Sequence, residues 1–461
     1  MSGLARVAAL NDDLRLKEAS MAYNDWLTRR RIDTPERVAI VDVANERRFT
    51  YAELDRRALA LARHLQATCG VRPGQRVAAL CGNRIELIDL YFACGKIGAI
   101  LAPLNIRLPA RQLDELISDC QPSVVAFEER FHETLRPTAN ASLLKIDCFF
   151  DAQRDACEHE NDERTDAIPY DAAPTDVAMI LYTSGTTGRA KGAMITYAQI
   201  HWNAINTIIG LQLTHDDASF LNLPLFHTGG WHVLFTPLML LGGRVVLQPK
   251  FDARQCNDLL GPERITILFG VPTSLRMMCE EASFATADFR TVRFAIFGGE
   301  SCPVPVIEAY QRRDVAMRQG YGLTEAGPNC FSLPAADAVR KLGSIGRPNF
   351  FVDVRLRDID GRDVGVNEVG ELQMRGPHLF AGYWNDALAT AETLRDDWLA
   401  TGDLMRRDDE GYFYVVGRTK EMYVSGGENV YPAQVEKVLQ EHPAVELAAV
   451  VGIPDKQWGE T

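Results

Sequence analysis

A segment rich in glycine and hydroxyl side chains, Tyr182-Thr-Ser-Gly-Thr-Thr-Gly-Arg-Ala-Lys-Gly192, restricts what this chain can fold into more than any other feature. An apolar run at residues 177–182 precedes it and is typical of a buried strand. Thr196 and Gln199 follow it with the spacing of a capping box, which predicts the start of a helix. Glycines let backbone N–H groups converge on an anion, hydroxyls add donors, and a lysine adds a full positive charge. The sequence therefore predicts a polyphosphate-binding loop between a strand and a helix.

Two common phosphate-binding motifs do not fit this segment. The P-loop places four residues between its first glycine and Gly-Lys-[Ser/Thr], whereas Gly185 and Gly188 enclose two residues and Lys191 stands apart. The dinucleotide fingerprint G-x-G-x-x-G is absent as well. A flexible surface loop is the structural alternative, because Ser, Thr and Gly clusters are common in such loops.

The rest of the chain alternates short apolar runs with helical patterns. Residues 51–67 and 84–97 have the spacing of helices that are buried on one side, and residues 76–81 and 122–127 are short apolar runs of strand length. A second alternating stretch covers about 177–335. Strands separated by helices favour parallel sheets with helices on their faces.

Beyond residue 343 the pattern changes. Residues 352–358 and 370–376 alternate polar and apolar side chains with a period of two, and Asp-Gly and Gly turns lie between them. This texture predicts an antiparallel or barrel-like segment, so the predicted fold class is α/β with an antiparallel addition. Near the end, a helix is expected at about 432–441 and a strand at 446–452.

Charge and cysteine content exclude several classes of protein. The 461 residues contain 49 Lys+Arg and 62 Asp+Glu, a formal net charge of −13, so no basic excess is present for a nucleic-acid partner. The ten cysteines include no C-x-x-C pair, which indicates reduced thiols and not a zinc site or disulfide framework. The longest apolar stretch, 87–106, is interrupted by Asp89, Lys96 and Pro103, so no transmembrane segment is predicted. No signal peptide is recognised, and a cytoplasmic location is expected.

Taken together with other motifs, residues 182–192 resemble the signature loop of the adenylate-forming superfamily. This superfamily includes acyl- and aryl-CoA synthetases, peptide-synthetase adenylation domains and firefly luciferase. The other motifs follow in the family's order, and they are Pro224-Leu-Phe-His-Thr-Gly-Gly230, Phe297-Gly-Gly-Glu300, Gln319-Gly-Tyr-Gly-Leu-Thr-Glu325, Gly370-Glu-Leu with Gly382-Tyr-Trp384, Thr401-Gly-Asp-Leu404 and the segment Gly417 to Pro432.

The resemblance implies a role for individual residues. Phosphate contacts are implied for Thr324 and for the loop residues Thr183, Ser184, Gly185, Thr186, Thr187, Gly188 and Lys191. Adenine contacts are implied for Gly298, Gly299, Glu300, Gln319, Gly320 and Tyr321, and ribose contacts for Asp403 and Arg418. Glu325 would supply a hard oxygen ligand for Mg²⁺. The implied acyl pocket contains His227, Trp231, Val271, Gly298 and Ala326, and Lys420 occupies the position of the interdomain hinge.

Each of these residue types also has a structural explanation. A tyrosine between glycines often only packs, and Thr-Gly-Asp and Gly-Arg-Thr are common in turns. His227 and His232 are five residues apart and lack H-E-x-x-H spacing, so they do not predict a metal pair. We interpret His227 as a gate on the acyl pocket and His232 as a core residue.

The implied reaction has two steps. The carboxylate of an acid attacks the α-phosphorus of ATP and releases pyrophosphate. The motifs suggest that this acid is a fatty acid. The thiol of CoA then attacks the acyl-adenylate and releases AMP. ATP, Mg²⁺ and CoA are therefore the expected cofactor and co-substrates. Two alternatives stay open: transfer to the phosphopantetheine arm of an acyl carrier protein, or a non-catalytic protein that only binds acyl-adenylate.

The resemblance also implies a division into domains. Residues 1–416 would form a large N-terminal domain of two helix-flanked, mainly parallel sheets plus the barrel-like segment, and 417–461 the hinge and an incomplete start of a small C-terminal domain. Family members carry a further catalytic lysine near their C-terminus, and the sequence ends at Thr461 before that position. Because losing one preorganised charge stabiliser costs about 10²–10³-fold in rate, these residues are expected to bind ATP or acyl-adenylate but to form adenylate slowly.

Overall fold

In a computed structural model of the chain, the described residues are 23–135, 141–146, 149, 170–183, 190–300, 302–425, 428–440, 442, 444–445, 447–455 and 458–461. Over these residues the fold is α/β, and the predicted class, helix-flanked parallel sheets followed by an antiparallel segment, is confirmed. Within the described ranges, no helix is both long and apolar enough to cross a membrane.

The phosphate-loop segment belongs to a sheet that, among the described residues, has six strands in the order β6-β5-β3-β4-β7-β8. All neighbouring pairs are parallel except β7 and β8. The strands are β3 (Arg76–Leu80), β4 (Ile100–Pro103), β5 (Val124–Phe127), β6 (Ser142–Lys145), β7 (Val177–Thr183) and β8 (Lys191–Thr196). The early helices are α1 (Trp26–Asp33), α2 (Tyr51–Ala67), α3 (Ile85–Ile97) and α4 (Ala110–Cys120).

The connection after the phosphate-loop segment differs from the expected passage from strand to helix. Lys191 begins strand β8, which pairs antiparallel with β7 and aligns Thr183 with Lys191. Helix α5 (Tyr197–Leu211) starts only after β8, where Thr196 Oγ1 accepts a hydrogen bond of 3.1 Å from the Gln199 backbone N–H. The described ends of the segment, Tyr182–Thr183 and Lys191–Gly192, are therefore held by pairing between β7 and β8.

A second parallel region is divided between two further sheets. Strands β1 (Val38–Asp42), β2 (Arg47–Thr50), β9 (Ala218–Leu221) and β10 (Arg244–Leu247) form one sheet in the order β2-β1-β10-β9. The second has the order β11-β12-β13-β14-β15 and contains β11 (Ile267–Gly270), β12 (Phe294–Phe297), β13 (Ala316–Leu323), β14 (Gly327–Ser332) and β15 (Arg347–Pro348). Thr266 joins the two sheets, because its N–H donates to Ala218 O at 3.0 Å and its Oγ1 accepts from the Ala218 N–H at 3.0 Å. The helices of this region are α6 (Thr228–His232), α7 (Phe235–Leu241), α8 (Ala253–Leu259), α9 (Pro272–Glu280) and α10 (Val304–Gln311).

The predicted period-two segment forms an antiparallel sheet. Its strands are β16 (Asp353–Arg357), β17 (Val369–Arg375), β18 (Leu394–Arg395), β19 (Trp398–Arg407) and β20 (Phe413–Arg418), and helix α11 (Ala387–Thr393) precedes β18. The register aligns Asp403 of β19 with Arg418 of β20. Beyond it lie β21 (Tyr423–Ser425), β22 (Glu428–Val430), helix α12 (Pro432–Gln440), β23 (Pro454–Asp455) and β24 (Gly459–Glu460). The helix predicted at 432–441 is confirmed, whereas the described residues 447–452 form no strand.

A buried ion cluster fastens helix α1 to helices α2 and α3. Lys96 Nζ lies 2.6 Å from Asp55 Oδ1 and 2.9 Å from Asp25 Oδ1, and the side chains of Lys96 and Asp55 are 7% and 6% exposed. Arg31 Nε reaches the other Asp55 oxygen at 2.7 Å, but its own side chain is half exposed. A buried charge that loses its partner destabilises the folded state strongly, because it is no longer compensated by water or by an opposite charge.

We expect the substitution Lys96→Met to lower the free energy of unfolding by about 3 kcal/mol, because it removes the buried cation from the Asp55 carboxylate and leaves it the half-exposed Arg31 and the Thr28 hydroxyl. Urea unfolding followed by tryptophan fluorescence measures this loss. Arg111→Met is the matched control, since Arg111 and Glu115 form an exposed pair and its loss should cost less than about 0.5 kcal/mol. Equal losses in the two variants would show that the buried cluster contributes no more than a surface pair.

Candidate active site

The site begins at the carboxyl edge of three neighbouring parallel strands. The register of β11, β12 and β13 aligns Gly270 with Phe297 and Phe297 with Gln319, so the residues that follow these strands lie side by side. Val271 and Gly298–Glu300 are therefore brought next to Gln319–Tyr321. In open α/β sheets, ligands bind in the crevice outside this edge. A Cβ atom at Gly298 would lie 3.3 Å from the carbonyl oxygen of Gly320, so glycine lets these two backbone segments approach closely.

The predicted adenine and ribose residues meet in one hydrogen-bonded group. Tyr321 donates its hydroxyl to Asp403 Oδ2 at 2.5 Å, and Arg418 Nε lies 3.0 Å from Asp403 Oδ1. Asp403 is buried, while the Arg418 side chain is 61% exposed. Burial of Tyr321, together with the nearby charge of Asp403, raises the pKa of the phenol, so Tyr321 remains a donor at neutral pH. The group offers a planar ring, a carboxylate and a guanidinium at the mouth of the crevice.

The phosphate side is organised around a tyrosine that the sequence analysis gave no role. Tyr383 donates its hydroxyl to Glu325 Oε1 at 2.8 Å, and Lys191 Nζ lies 5.1 Å from the centre of the Tyr383 ring. This single side chain therefore contacts both the predicted metal ligand and the predicted phosphate-binding cation. Burial and the charge of Glu325 raise the pKa of Tyr383, which keeps its hydroxyl protonated.

Backbone pairing brings Tyr383 to this position. The Trp384 N–H donates to Gly192 O at 2.7 Å, and Met194 exchanges hydrogen bonds with Gly382 and Ala381 at 2.9 and 3.0 Å. Residues 381–384 thus pair with the hairpin strand β8 that carries Lys191. Gly382-Tyr-Trp384 was visible as a motif, but nothing in its composition showed which residues it would touch.

Thr183, Thr324 and His227 lie around a cleft of about 1430 Å³, together with Ala190 and Asn385. Thr324 is held in place from behind, since the Gln199 side-chain amide donates to its carbonyl oxygen at 2.9 Å. The predicted phosphate contacts at Ser184–Gly188 lie outside the described residues. The structure places Thr183 and Thr324 on the same cleft, and Lys191 pairs with Thr183 across strands β7 and β8.

His227 also lines this cleft and lies directly before helix α6. Its ring is 4.6 Å from that of Phe226, and burial, with a smaller contribution from the charge of Arg107, lowers its pKa. The imidazole is therefore neutral at physiological pH, as suits a group beside an acyl chain.

The other predicted pocket residues are placed differently from one another. Trp231 is 0% exposed, stacks on Tyr91 with ring centres 4.9 Å apart, and donates its indole N–H to Leu225 O. Ala326 is buried behind Thr324, whereas Val271 is partly exposed at the start of helix α9. Contacts of these residues with an acid stay predictions.

Lys420, the predicted hinge residue, is exposed in the turn between β20 and β21. The Thr419 N–H donates to Gly402 O at 2.9 Å, and the Met422 N–H donates to Arg418 O at 3.0 Å. The turn that contains Lys420 is thus hydrogen-bonded to strand β19, which carries Asp403. Lys420 itself follows Arg418 by two residues. Its function as a hinge stays a prediction.

The residues present fit a magnesium ion bound together with a nucleotide. Glu325 Oε1 is occupied by Tyr383, and over the described residues Oε2 has no hydrogen-bond partner. No cluster of three or more His, Cys, Asp or Glu side chains suited to a metal occurs in the described ranges. A single carboxylate that completes its coordination with substrate phosphates and water is the arrangement Mg²⁺ commonly adopts.

His232 and His378 lie in the interior, which gives stability a defined pH dependence. Burial lowers the pKa of His232 to about 3 and that of His378 to about 4. In the unfolded chain each histidine takes up a proton below a pKa of about 6.5, whereas in the folded chain both stay neutral until a much lower pH. The free energy of unfolding is therefore highest above about pH 6.5 and falls as the pH decreases.

We expect each buried histidine to lower the free energy of unfolding by about 1.4 kcal/mol when the pH decreases from 7.5 to 5.5. Urea unfolding at both pH values should show a smaller pH-dependent loss for His232→Gln than for the unchanged chain. His215→Gln is the control because His215 is exposed. An identical loss in the unchanged chain and in His232→Gln would contradict the prediction.

Comparison with known proteins decides the family. The family model described as AMP-binding enzyme matches residues 27–384, and the model of the AMP-binding enzyme C-terminal domain matches residues 434–461. The chain belongs to the AMP-binding enzyme family. The predicted membership of the adenylate-forming superfamily is thereby confirmed, and so is the prediction of an enzyme of the acid–thiol ligase class.

Curated members of the AMP-binding enzyme family match over nearly the whole chain. Feruloyl-CoA synthase of an Amycolatopsis species is 39% identical over 441 residues, covering 96% of this chain and 87% of that protein. Indoleacetate–CoA ligase of Aromatoleum aromaticum is 39% identical over 456 residues, covering 95% of this chain and 87% of that protein.

Solved structures of the family agree with the fold. A fatty acyl CoA synthetase of Mycobacterium tuberculosis superimposes with a TM-score of 0.83 at 31% identity, covering 96% of this chain and 88% of that one. O-succinylbenzoate CoA synthetase of Bacillus subtilis, in complex with ATP and magnesium ion, superimposes with a TM-score of 0.83 at 30% identity. The match covers 94% of this chain and 88% of that one. The ligands of that relative are in keeping with the predicted ATP and Mg²⁺.

Proposed function

We propose that this AMP-binding enzyme is an acid–CoA ligase that activates a carboxylic acid with ATP and transfers the acyl group to CoA. One observation carries the proposal: a single side chain, Tyr383, contacts both Lys191 and Glu325, and Thr324, the neighbour of Glu325, lines the same cleft as His227. The cation and the carboxylate suit a metal-bound triphosphate, and the neutral His227 suits the acid.

In the first step, the acid's carboxylate attacks the α-phosphorus of ATP and pyrophosphate leaves. The protein need only align the reactants and spread the negative charge. We assign the adenine to Tyr321 and the segment Gly298–Glu300, and the ribose to Asp403 and Arg418. Lys191 and Thr324 contact the phosphates. Glu325 would hold Mg²⁺, which when bound neutralises charge on the phosphate oxygens.

In the second step, the thiol of CoA attacks the acyl-adenylate carbonyl and AMP leaves. We assign the reorientation between the steps to the turn at Lys420, with residues 1–416 as the large domain and 417–461 as the hinge and the start of the small one. CoA is favoured over a carrier-protein arm because the relatives described above are CoA ligases. We also propose a cytoplasmic location, where both ATP and CoA are available.

The class of acid is proposed more broadly than the fatty acid expected from the motifs. Relatives acting on feruloyl and indoleacetate groups are 39% identical, and the structural match to a fatty acyl CoA synthetase is 31% identical. We propose an acid with an apolar body, aromatic or aliphatic, whose carboxylate passes His227. The aromatic rings of Phe226 and His227 at the cleft are compatible with either.

A screen of carboxylic acids tests the proposal. Ferulate, indoleacetate, 2-succinylbenzoate and fatty acids of several lengths are each incubated with ATP and Mg²⁺, and AMP release is measured with and without CoA. We expect AMP release that depends on both one class of acid and CoA. Replacing CoA with a phosphopantetheinylated carrier protein separates the two acceptors. Release indifferent to the acid and to the thiol would overturn the ligase proposal.

A further inference from the structure

Tyr383 contacts both Glu325 and Lys191. Its hydroxyl lies 2.8 Å from Glu325 Oε1, and the face of its ring lies 5.1 Å from Lys191 Nζ. A phenol can hold a carboxylate by hydrogen bonding and a cation by its ring at the same time, because the two interactions use different parts of the side chain.

We propose that Tyr383 is a positioning residue that sets the carboxylate of Glu325 and the amine of Lys191 at the spacing required for magnesium-bound triphosphate. The inference rests on the proposed function. With Oε1 held by the hydroxyl, Oε2 is the oxygen turned toward a metal. Partners that orient a ligating group in this way typically account for 10–100-fold in metal affinity.

The tyrosine is itself held from several sides. Its N–H donates to Thr390 Oγ1 at 2.8 Å, and its ring lies 5.0 Å from that of Phe380 in an edge-on arrangement. The neighbouring Trp384 donates its indole N–H to Asp119 O at 3.1 Å. The backbone therefore stays in place when only the phenol is changed, and Tyr383→Phe removes the hydroxyl alone.

Two variants separate the two contacts. Tyr383→Phe keeps the ring beside Lys191 and loses the hydrogen bond to Glu325. We expect it to raise the Mg²⁺ concentration for half-maximal nucleotide binding about 10-fold, with unchanged binding in EDTA. Tyr383→Leu also removes the ring, so we expect binding in EDTA to weaken by a further factor of about 2–5.

The measurement is equilibrium binding of α,β-methylene-ATP to the full chain, followed by calorimetry at several Mg²⁺ concentrations and in EDTA. Tyr414→Phe is the matched control, because Tyr414 likewise has a carboxylate at its hydroxyl (Asp408, 3.3 Å) and an arginine over its ring (Arg406, 4.2 Å), in the antiparallel sheet away from the cleft. Thermal unfolding of both variants reports any general loss of structure.

The outcomes are distinguishable. A Mg²⁺ titration of Tyr383→Phe that matches the unchanged chain overturns the inference and leaves the proposed function intact. A uniform loss of binding with and without Mg²⁺ also overturns it, since it indicates a structural role only. If the unchanged chain fails to bind the nucleotide at any Mg²⁺ concentration, the proposed function fails and the inference with it.

Discussion

Glu325→Gln should lower acid-dependent exchange of pyrophosphate into ATP about 10²- to 10³-fold, the typical effect of removing one preorganised charge stabiliser. Glutamine has nearly the same shape and can still accept the Tyr383 hydroxyl through its amide oxygen. It brings no negative charge and only one oxygen, so it is a poor ligand for Mg²⁺. The loss should therefore arise from the chemistry and not from a disturbed fold.

The matched control for this change is Glu368→Gln. Glu368 is exposed, accepts a hydrogen bond from the Gly365 N–H at 2.6 Å, and is not among the residues that line the cleft. Exchange rates are compared at saturating acid and at several Mg²⁺ concentrations. Raising Mg²⁺ should recover part of the activity if the substitution weakens metal binding. Exchange by Glu325→Gln at the rate of the control would remove Glu325 from the reaction.

Asp403→Asn should weaken ATP binding about 10- to 100-fold, in line with the loss of charge-assisted hydrogen bonds. A carboxylate can accept from both ribose hydroxyls, whereas an amide offers one acceptor and presents its NH₂ group to the second. Arg418 would also lose its ionic partner at 3.0 Å and with it a fixed position. The Tyr321 hydroxyl can still donate to the remaining oxygen, so the strand pairing around residue 403 should survive.

Binding of ATP to this variant is measured by calorimetry against Asp409→Asn. Asp409 lies in an exposed turn after β19 and undergoes the same chemical change without contact to the crevice. A 2′,3′-dideoxy nucleotide, which lacks both ribose hydroxyls, should bind the unchanged chain and Asp403→Asn alike. If the unchanged chain and Asp403→Asn bind the dideoxy nucleotide with clearly different affinities, the substitution does not act through the ribose hydroxyls.

The sequence predicted most of the fold because buried strands and one-sided helices have patterns that do not depend on distant residues. Helix α2 and strands β3, β5 and β7 lie where the apolar runs placed them. Strand β8 was missed because Lys191–Thr196 mixes a cation, a glycine and apolar residues, and only pairing with β7 makes it a strand. The hairpin is thus a tertiary feature that the glycine-rich pattern did not indicate.

The site was predicted residue by residue but not as a connected arrangement. Tyr321 and Asp403 are 82 positions apart and Glu325 and Tyr383 are 58 apart, so no local pattern relates them. Trp231, which the resemblance implied for the acyl pocket, is fully buried and stacks on Tyr91, and its contact with an acid stays a prediction. A one-sequence pattern cannot distinguish a ring that lines a pocket from one that lies beneath it.

The central claim is that Lys191, Thr324 and Glu325 hold a metal-bound triphosphate in the crevice that Tyr321 and Asp403 close. Its most direct test is a crystal of the protein with α,β-methylene-ATP and Mn²⁺ in place of Mg²⁺. We predict an anomalous peak at coordination distance from Glu325, about 2.2 Å, with the phosphates beside Lys191 and the ribose on Asp403. A manganese peak and nucleotide located together away from Glu325 would contradict the account.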